Sequence, residues 1–168
     1  MATTMDIELT VNGELVQERV AVRTNLVDFL RHQLGLTGSH VGCEQGVCGA
    51  CTLEVDGVMV RACLMLAVQA HGCKITTVEG FSKKATGRLL QNAFSEHNAL
   101  QCGYCTPGML ASSIDYVERG GSSDRACIRQ HLSGNYCRCT GYQAIVDAVA
   151  SVVDQSDAES LQSDGAVS

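Results

Sequence analysis

Cysteines 43, 48, 51 and 63 fall in one stretch, CEQGVCGACTLEVDGVMVRAC, spaced C-x4-C-x2-C with the fourth after a further eleven intervening residues. That spacing suits a two-iron, two-sulfide cluster, in which each iron takes two thiolates and the first three ligands come from one tight loop. Gly42, Gly46 and Gly49 are interleaved with the thiols. Glycine lets such a loop take positive φ and pass close to an inorganic sulfide, with amide N–H groups free to point at it. Val47 and Ala50 are small and apolar, suited to keeping water away. A zinc ion is the competing occupant, but zinc sets usually combine two short C-x2-4-C pairs. Cys43, Cys48, Cys51 and Cys63 are therefore read as ligands of one 2Fe-2S centre.

A second set of four thiols follows later: Cys102 and Cys105 in QCGYCTPGML, and Cys137 and Cys139 in GNYCRCTGYQAIV. Each pair stands just ahead of a helical pattern, and a helix N-terminus offers free N–H groups and partial positive charge to a net-negative cluster. The C-x-C pair is tight for one zinc ion and fits a wider two-iron core better. Spacing alone leaves a structural zinc site open here, since four cysteines are also the commonest such set.

The elements that must carry these thiols can be read in order. Ile7, Leu9 and Val11 alternate along a strand, Asn12-Gly13 marks a type I′ hairpin turn, and Leu15-Val16 begin the return strand. Thr24 or Asn25 caps a helix with Leu26, Phe29, Leu30 and Leu34 on one face, stopped by Gly35. After the thiol loop, residues 52–55 and 58–62 flank Asp56-Gly57 as a second hairpin, which delivers Cys63. Residues 74–79, KITTVE, are rich in β-branched side chains and read as a last strand closing the sheet. From about residue 82 the pattern is helical. Leu89, Leu90, Ala93, Phe94 and His97 form one face, and Thr106 is an N-cap with Pro107 behind it. Leu110, Ile114 and Val117 form the stripe of that helix, Ile128 and Leu132 that of a short one, and Ile145, Val146, Val149, Val152 and Val153 that of the last. The expected fold is α+β: a β-grasp domain over 1–80, a four-helix bundle over 81–155, and a flexible tail over 156–168 that lacks periodicity.

Hairpin, helix, metal loop, hairpin, strand is the order found in plant ferredoxins, which residues 1–80 resemble in cluster spacing as well. Across residues 1 to about 155, GCEQGVCGACTLEVDG together with QCGYCTPGML and GNYCRCTGYQAIV resemble the iron–sulfur subunit of molybdenum hydroxylases. This is the family of xanthine dehydrogenase, aldehyde oxidoreductase and carbon monoxide dehydrogenase. The resemblance implies that Cys43, Cys48, Cys51 and Cys63 hold an outer centre facing a flavin, and that Cys102, Cys105, Cys137 and Cys139 hold an inner one beside a molybdopterin. It further implies that Gln101 and Cys139 contact the pterin. The molybdenum cofactor and FAD would sit on a large and a medium partner subunit, with the complex a dimer of heterotrimers. The chain would then relay single electrons from molybdenum to FAD while an N-heteroaromatic of the quinoline type is hydroxylated with oxygen from water. A free ferredoxin-type carrier, or a zinc-stabilised interaction module without redox function, are the alternatives.

Composition narrows the partners. A formal net charge of −6 argues against nucleic acid. No run of apolar residues is long enough to span a membrane. The start, MATTMDIELTVNG, has neither the basic nor the apolar region of an export signal. Ten cysteines in such a chain point to metal ligation in a reducing, cytoplasmic setting. Neither a Ser/His/Asp set nor a phosphate-cradling or dinucleotide-binding loop is visible, so no catalytic residue is expected.

Other chemistry-bearing residues receive plainer readings. Cys73 and Cys127 belong to neither set and are expected as buried packing thiols. The five histidines make no C-x-H pair, which excludes a Rieske centre. Tyr104 and Tyr136 flank the second set and should screen it from water, while Arg138 stands between two of its thiols, as a charge on the centre or a surface side chain. Asp28, Glu44 and Glu54 read as a solvated face.

Overall fold

Ile7, Leu9 and Val11 are buried, as period-two alternation requires of a strand with one face on the core. They lie on β1 (Thr4–Val11), which pairs antiparallel with β2 (Glu14–Ala21) in a register running from Thr4↔Ala21 to Val11↔Glu14. Asn12 (φ 53°) and Gly13 (φ 92°) form the turn, both at positive φ as a type I′ hairpin needs. Residues 3–164 are described in this computed structural model.

The second hairpin, β3 (Thr52–Val55) with β4 (Val58–Arg61), turns through Asp56 (φ 49°) and Gly57 (φ 80°). The last strand, β5 (Lys74–Thr76), is shorter than the expected 74–79 and joins the two hairpins. It lies in the middle, parallel to β1 and antiparallel to β3, in the order β2-β1-β5-β3-β4. Its Ile75 is buried, which places this strand at the centre of the apolar layer.

Asn25 caps the first helix, its side-chain oxygen accepting from Asp28 N at 2.8 Å. Only α1 (Leu26–Asp28) is α-helical; the chain then widens into a π-helical stretch, Phe29–Gln33, with Leu34 N bonded back to Phe29 O at 3.3 Å. Gly35 ends it at φ 70°. Leu26, Val27, Phe29 and Leu30 are buried and join Leu9, Leu53 and Ile75 in the first of two apolar clusters.

The change to helices comes at Thr77, which is buried and doubly bonded to Asn12: its N–H donates to Asn12 Oδ1 and its hydroxyl accepts from Asn12 Nδ2, both at 2.9 Å. Then follow α2 (Val78–Phe81), α3 (Ala85–Glu96), α4 (Thr106–Glu118), α5 (Arg125–His131) and α6 (Gln143–Asp164). Phe81, Leu90, Phe94, Leu110, Ile114, Ile128, Ile145, Val149 and Val152 build the second cluster. The expected inward face of α3 needs correcting at both ends, because Leu89 and His97 are exposed. The last helix also outruns its apolar stripe: a tail was expected from residue 156, yet helical backbone continues to Asp164, and residues 165–168 lie outside the described residues.

Candidate metal centres

The loop over residues 42–51 carries no regular structure, and three of its residues sit in left-handed backbone: Glu44, Gly46 and Gly49. At Gly49 a side chain has no room even apart from the φ, since a Cβ would stand 2.6 Å from Asn135 Nδ2 and 2.7 Å from Gly134 O. The loop turns its amides inward. The N–H groups of Gln45 and Cys48 each reach Cys43 Sγ at 3.4 Å. Those of Cys48 and Gln45, with Val47 assisting, hold the Cys43 thiol down at about 7. Cys51 is buried, and burial together with its neighbour Cys63 pushes its thiol up to about 12. Cys48 lies close enough to act on Cys51 as well. The structure thus brings Cys43, Cys48, Cys51 and Cys63 together, with Cys63 just past the end of β4. Of the two apolar shields, Ala50 is buried but Val47 is exposed.

The second set gathers at the N-terminal ends of α4 and α6. Cys105 itself holds the N-cap position of α4, so Thr106 is the first helical residue and not the cap. Cys139 Sγ donates to Cys102 Sγ at 3.5 Å. Cys105 and Cys137 make the other pair, and burial first, then Cys137, pushes the Cys105 thiol up to about 12. Burial also pushes Cys137 upward, but the Thr140 hydroxyl (3.1 Å from Sγ) and amide (3.4 Å) outweigh it and leave that thiol lowered. Tyr142 fixes the same residue from behind, its hydroxyl accepting from Cys137 N at 2.9 Å. Gly141 (φ 66°) and Tyr142 (φ 69°) turn the chain into α6.

All four of these thiols line one cavity of about 160 Å³, completed by Gly42, Cys48, Ala50, Tyr104, Tyr136 and Arg138. Cys48 of the first set is thus a wall of the second. Among the described residues no group of three or more His, Cys, Asp or Glu side chains is drawn tightly enough to hold one metal ion. The thiols meet in facing pairs around a space, the arrangement a two-iron core asks for, with each iron taking a pair. Thr106 Oγ1, adjoining Cys105, is buried without a hydrogen-bond partner among the described residues. The residues present fit the group.

Both flanking tyrosines line the cavity, though each is about half exposed, and Tyr104 is tied to the preceding loop. Its hydroxyl donates to Val41 O at 2.8 Å, its carbonyl lies 2.9 Å from His40 Nδ1, and its ring stacks on His40 at 4.5 Å. Arg138 lines the cavity, and Gln101 is exposed beside Cys102. Cys73 is half-buried against Asp56. Cys127 is exposed, contrary to expectation, because α5 turns only Ile128 into the core. Glu54 is not part of a solvated face: Lys84 Nζ sits 2.6 Å from its carboxylate and 3.3 Å from that of Glu118, linking β3 to α4. Arg61 and Asn135 were not singled out from the sequence, since only the fold brings them to the thiol loops.

Two family models match the chain: a 2Fe-2S iron-sulfur cluster binding domain over residues 9–79, and a [2Fe-2S] binding domain over residues 77–150. The gamma subunit of a caffeine dehydrogenase from a Pseudomonas strain is 54% identical over 151 residues, covering 87% of this chain and 89% of that one. The small subunit of nicotine 6-hydroxylase from Paenarthrobacter nicotinovorans is 49% identical, covering 86% and 87%. Among solved structures, quinoline 2-oxidoreductase from Pseudomonas putida superposes with a TM-score of 0.86 at 46% identity, over 94% of this chain and 98% of that one. Two 2Fe-2S domains in one chain, on a fold shared with these oxidoreductase subunits, mark it as a member of the molybdenum hydroxylase family: an electron-transfer iron–sulfur subunit carrying two 2Fe-2S centres.

Proposed function

We propose that Cys43, Cys48, Cys51 and Cys63 ligate the outer centre and Cys102, Cys105, Cys137 and Cys139 the inner one. What carries the reading is the pairing of thiols in each set, with Cys48 walling the cavity of the other set. When bound, each centre takes up and gives up single electrons, which lets two in series drain a two-electron oxidation at molybdenum towards FAD.

The chain's own residues then have distinct tasks. The amides of Gln45 and Cys48 stabilise a thiolate at Cys43, and Thr140 does so at Cys137. Tyr104 and Tyr136 limit water at the inner set, and Arg138 supplies positive charge beside it. Cys102, Cys139 and Gln101 are exposed, with the two thiols 3.5 Å apart, and there Gln101 and Cys139 meet the pterin of a large molybdenum subunit. The outer loop, with Val47 and Leu64 exposed around it, faces a medium FAD subunit. The complex is a dimer of such heterotrimers, cytoplasmic, and no described helix is long and apolar enough to cross a membrane.

The two domains divide at residues 1–80 and 81–155, the second working as a four-helix bundle of α3 to α6. Separate apolar clusters for sheet and helices support that division. The substrate class is an N-heteroaromatic, which the names of the caffeine, nicotine and quinoline enzymes favour. Purification of the native complex tests the whole: two larger chains should co-elute, and a heteroaromatic such as quinoline should bleach the visible absorption anaerobically. A lone 17.8 kDa species, or bleaching only by aldehydes, overturns the corresponding part.

A further inference from the structure

A hydrogen-bond web crosses from the outer thiol loop to the chain that leads into Cys137. Arg61, the last residue of β4, is its hub. Its Nη2 donates to Gly134 O at 2.7 Å, its Nε to Gly46 O at 3.4 Å, and its Nη1 to the Thr52 hydroxyl. That hydroxyl in turn donates a hydrogen bond to Gly49 O at 2.6 Å. The buried Asn135 adds a second donor to Gly49 O at 3.2 Å and is itself held by Ser112 Oγ at 2.8 Å. Tyr136 N–H donates to Cys48 O at 2.9 Å. Three carbonyls of the outer loop, those of Gly46, Cys48 and Gly49, are thus held from outside the loop.

Two consequences follow from elementary geometry. A peptide is planar, so a donor that holds the Gly46 carbonyl outward also fixes the Val47 N–H of the same plane, and that N–H is one of those aimed at Cys43. The same guanidinium holds Gly134, three residues before Cys137, so the two thiol loops cannot drift apart while it stays in place. Only a planar fork with five donors serves acceptors diverging in this way. The chain makes room for it as well: a Cβ on Gly134 would come within 2.8 Å of Arg61 Nη2.

We propose that Arg61 is a positioning residue for both centres, a clamp that sets their separation and aims the outer loop's amides. This rests on the ligand assignment above. The test uses the intact complex carrying Arg61→Lys, which keeps the charge, or Arg61→Gln, which does not. Iron content, the dipolar coupling between the two reduced centres, and the reduction potential of the outer centre are read for each. Wild-type protein should give one narrow intercentre distance. Both variants should lose it to a longer, broader distribution with iron content retained, and Arg61→Gln should also lower the outer potential, since a nearby positive charge is gone. An unchanged distance in both variants overturns the proposal. A lowered potential in Arg61→Gln alone, with the distance kept, overturns it too, because Arg61 would then act only as a charge. Iron lost from both variants makes it a folding requirement and equally overturns it. A wild-type complex with fewer than two centres instead defeats the ligand assignment.

Discussion

The carbonyl of Cys48 accepts a 2.9 Å hydrogen bond from the backbone N–H of Tyr136, so a thiol residue of the first set is one hydrogen bond and one peptide away from Cys137 of the second. Cys48 also lines the cavity enclosed by the second set. The two thiol sets, though carried by different domains, therefore share a wall.

Replacement of single thiols separates the sets. Cys63→Ser should remove the outer centre, and Cys102→Ser the inner, each halving iron and sulfide and deleting one of two paramagnetic signals. Cys127→Ser, on the exposed face of α5, should leave both intact. Metal analysis and electron paramagnetic resonance of the purified variants check all three.

The first turn of α4 is pressed against the outer loop. A Cβ at Gly108 would strike the carbonyl oxygen of Gly49, a backbone atom that cannot swing aside. Gly108→Ala should cost about 1–3 kcal/mol, in the range of overpacked cores. The same alanine at Gly72, where nothing lies within 4 Å of the added carbon, lacks that clash and meets only the strain of its positive φ. Calorimetric melting of both variants should show the larger loss for Gly108→Ala.

Lys84 joins Glu54 and Glu118 in a partly buried ion pair between β3 and α4. Removing it in Lys84→Ala leaves two carboxylates close together with no cation. The expected cost is roughly 1 kcal/mol, or ~2–4 °C in Tm, and it should shrink in high salt. Thermal melts at low and high ionic strength measure both.

Thiol reactivity in metal-stripped, still folded chain should follow the local environment. Cys43, held at about 7 by the amides of Cys48 and Gln45, is largely thiolate at pH 8 and largely thiol at pH 6, so its alkylation should slow about tenfold between them. Cys51 and Cys105, pushed to about 12 mainly by burial, remain thiols at both pH values and should label last. Mass-spectrometric mapping after brief iodoacetamide treatment gives the order, and equal labelling of all three contradicts this account.

Much of this was legible in the sequence because it is local. Asn12-Gly13 and Asp56-Gly57 announced their hairpins, and the thiol spacings announced both metal sets. What stayed hidden depends on distant partners. Residues 74–76 carry too few side chains to tell a central strand from an edge one, and only pairing with β1 and β3 decides it. Thr106 looks like a cap beside Pro107, yet Cys105 takes that place, without a side-chain cap hydrogen bond, while its thiol meets Cys137. Arg61 and Glu54 look like surface charges until the loop around Gly134 meets the one and Lys84 the other.

The most direct test of the central claim is low-temperature electron paramagnetic resonance of the dithionite-reduced native complex, with metal and sulfide analysis of the same sample. Two distinguishable reduced 2Fe-2S signals, with four iron and four sulfide per copy of this chain, are expected from two complete thiol sets. A single signal, or zinc in place of iron at either set, would contradict it.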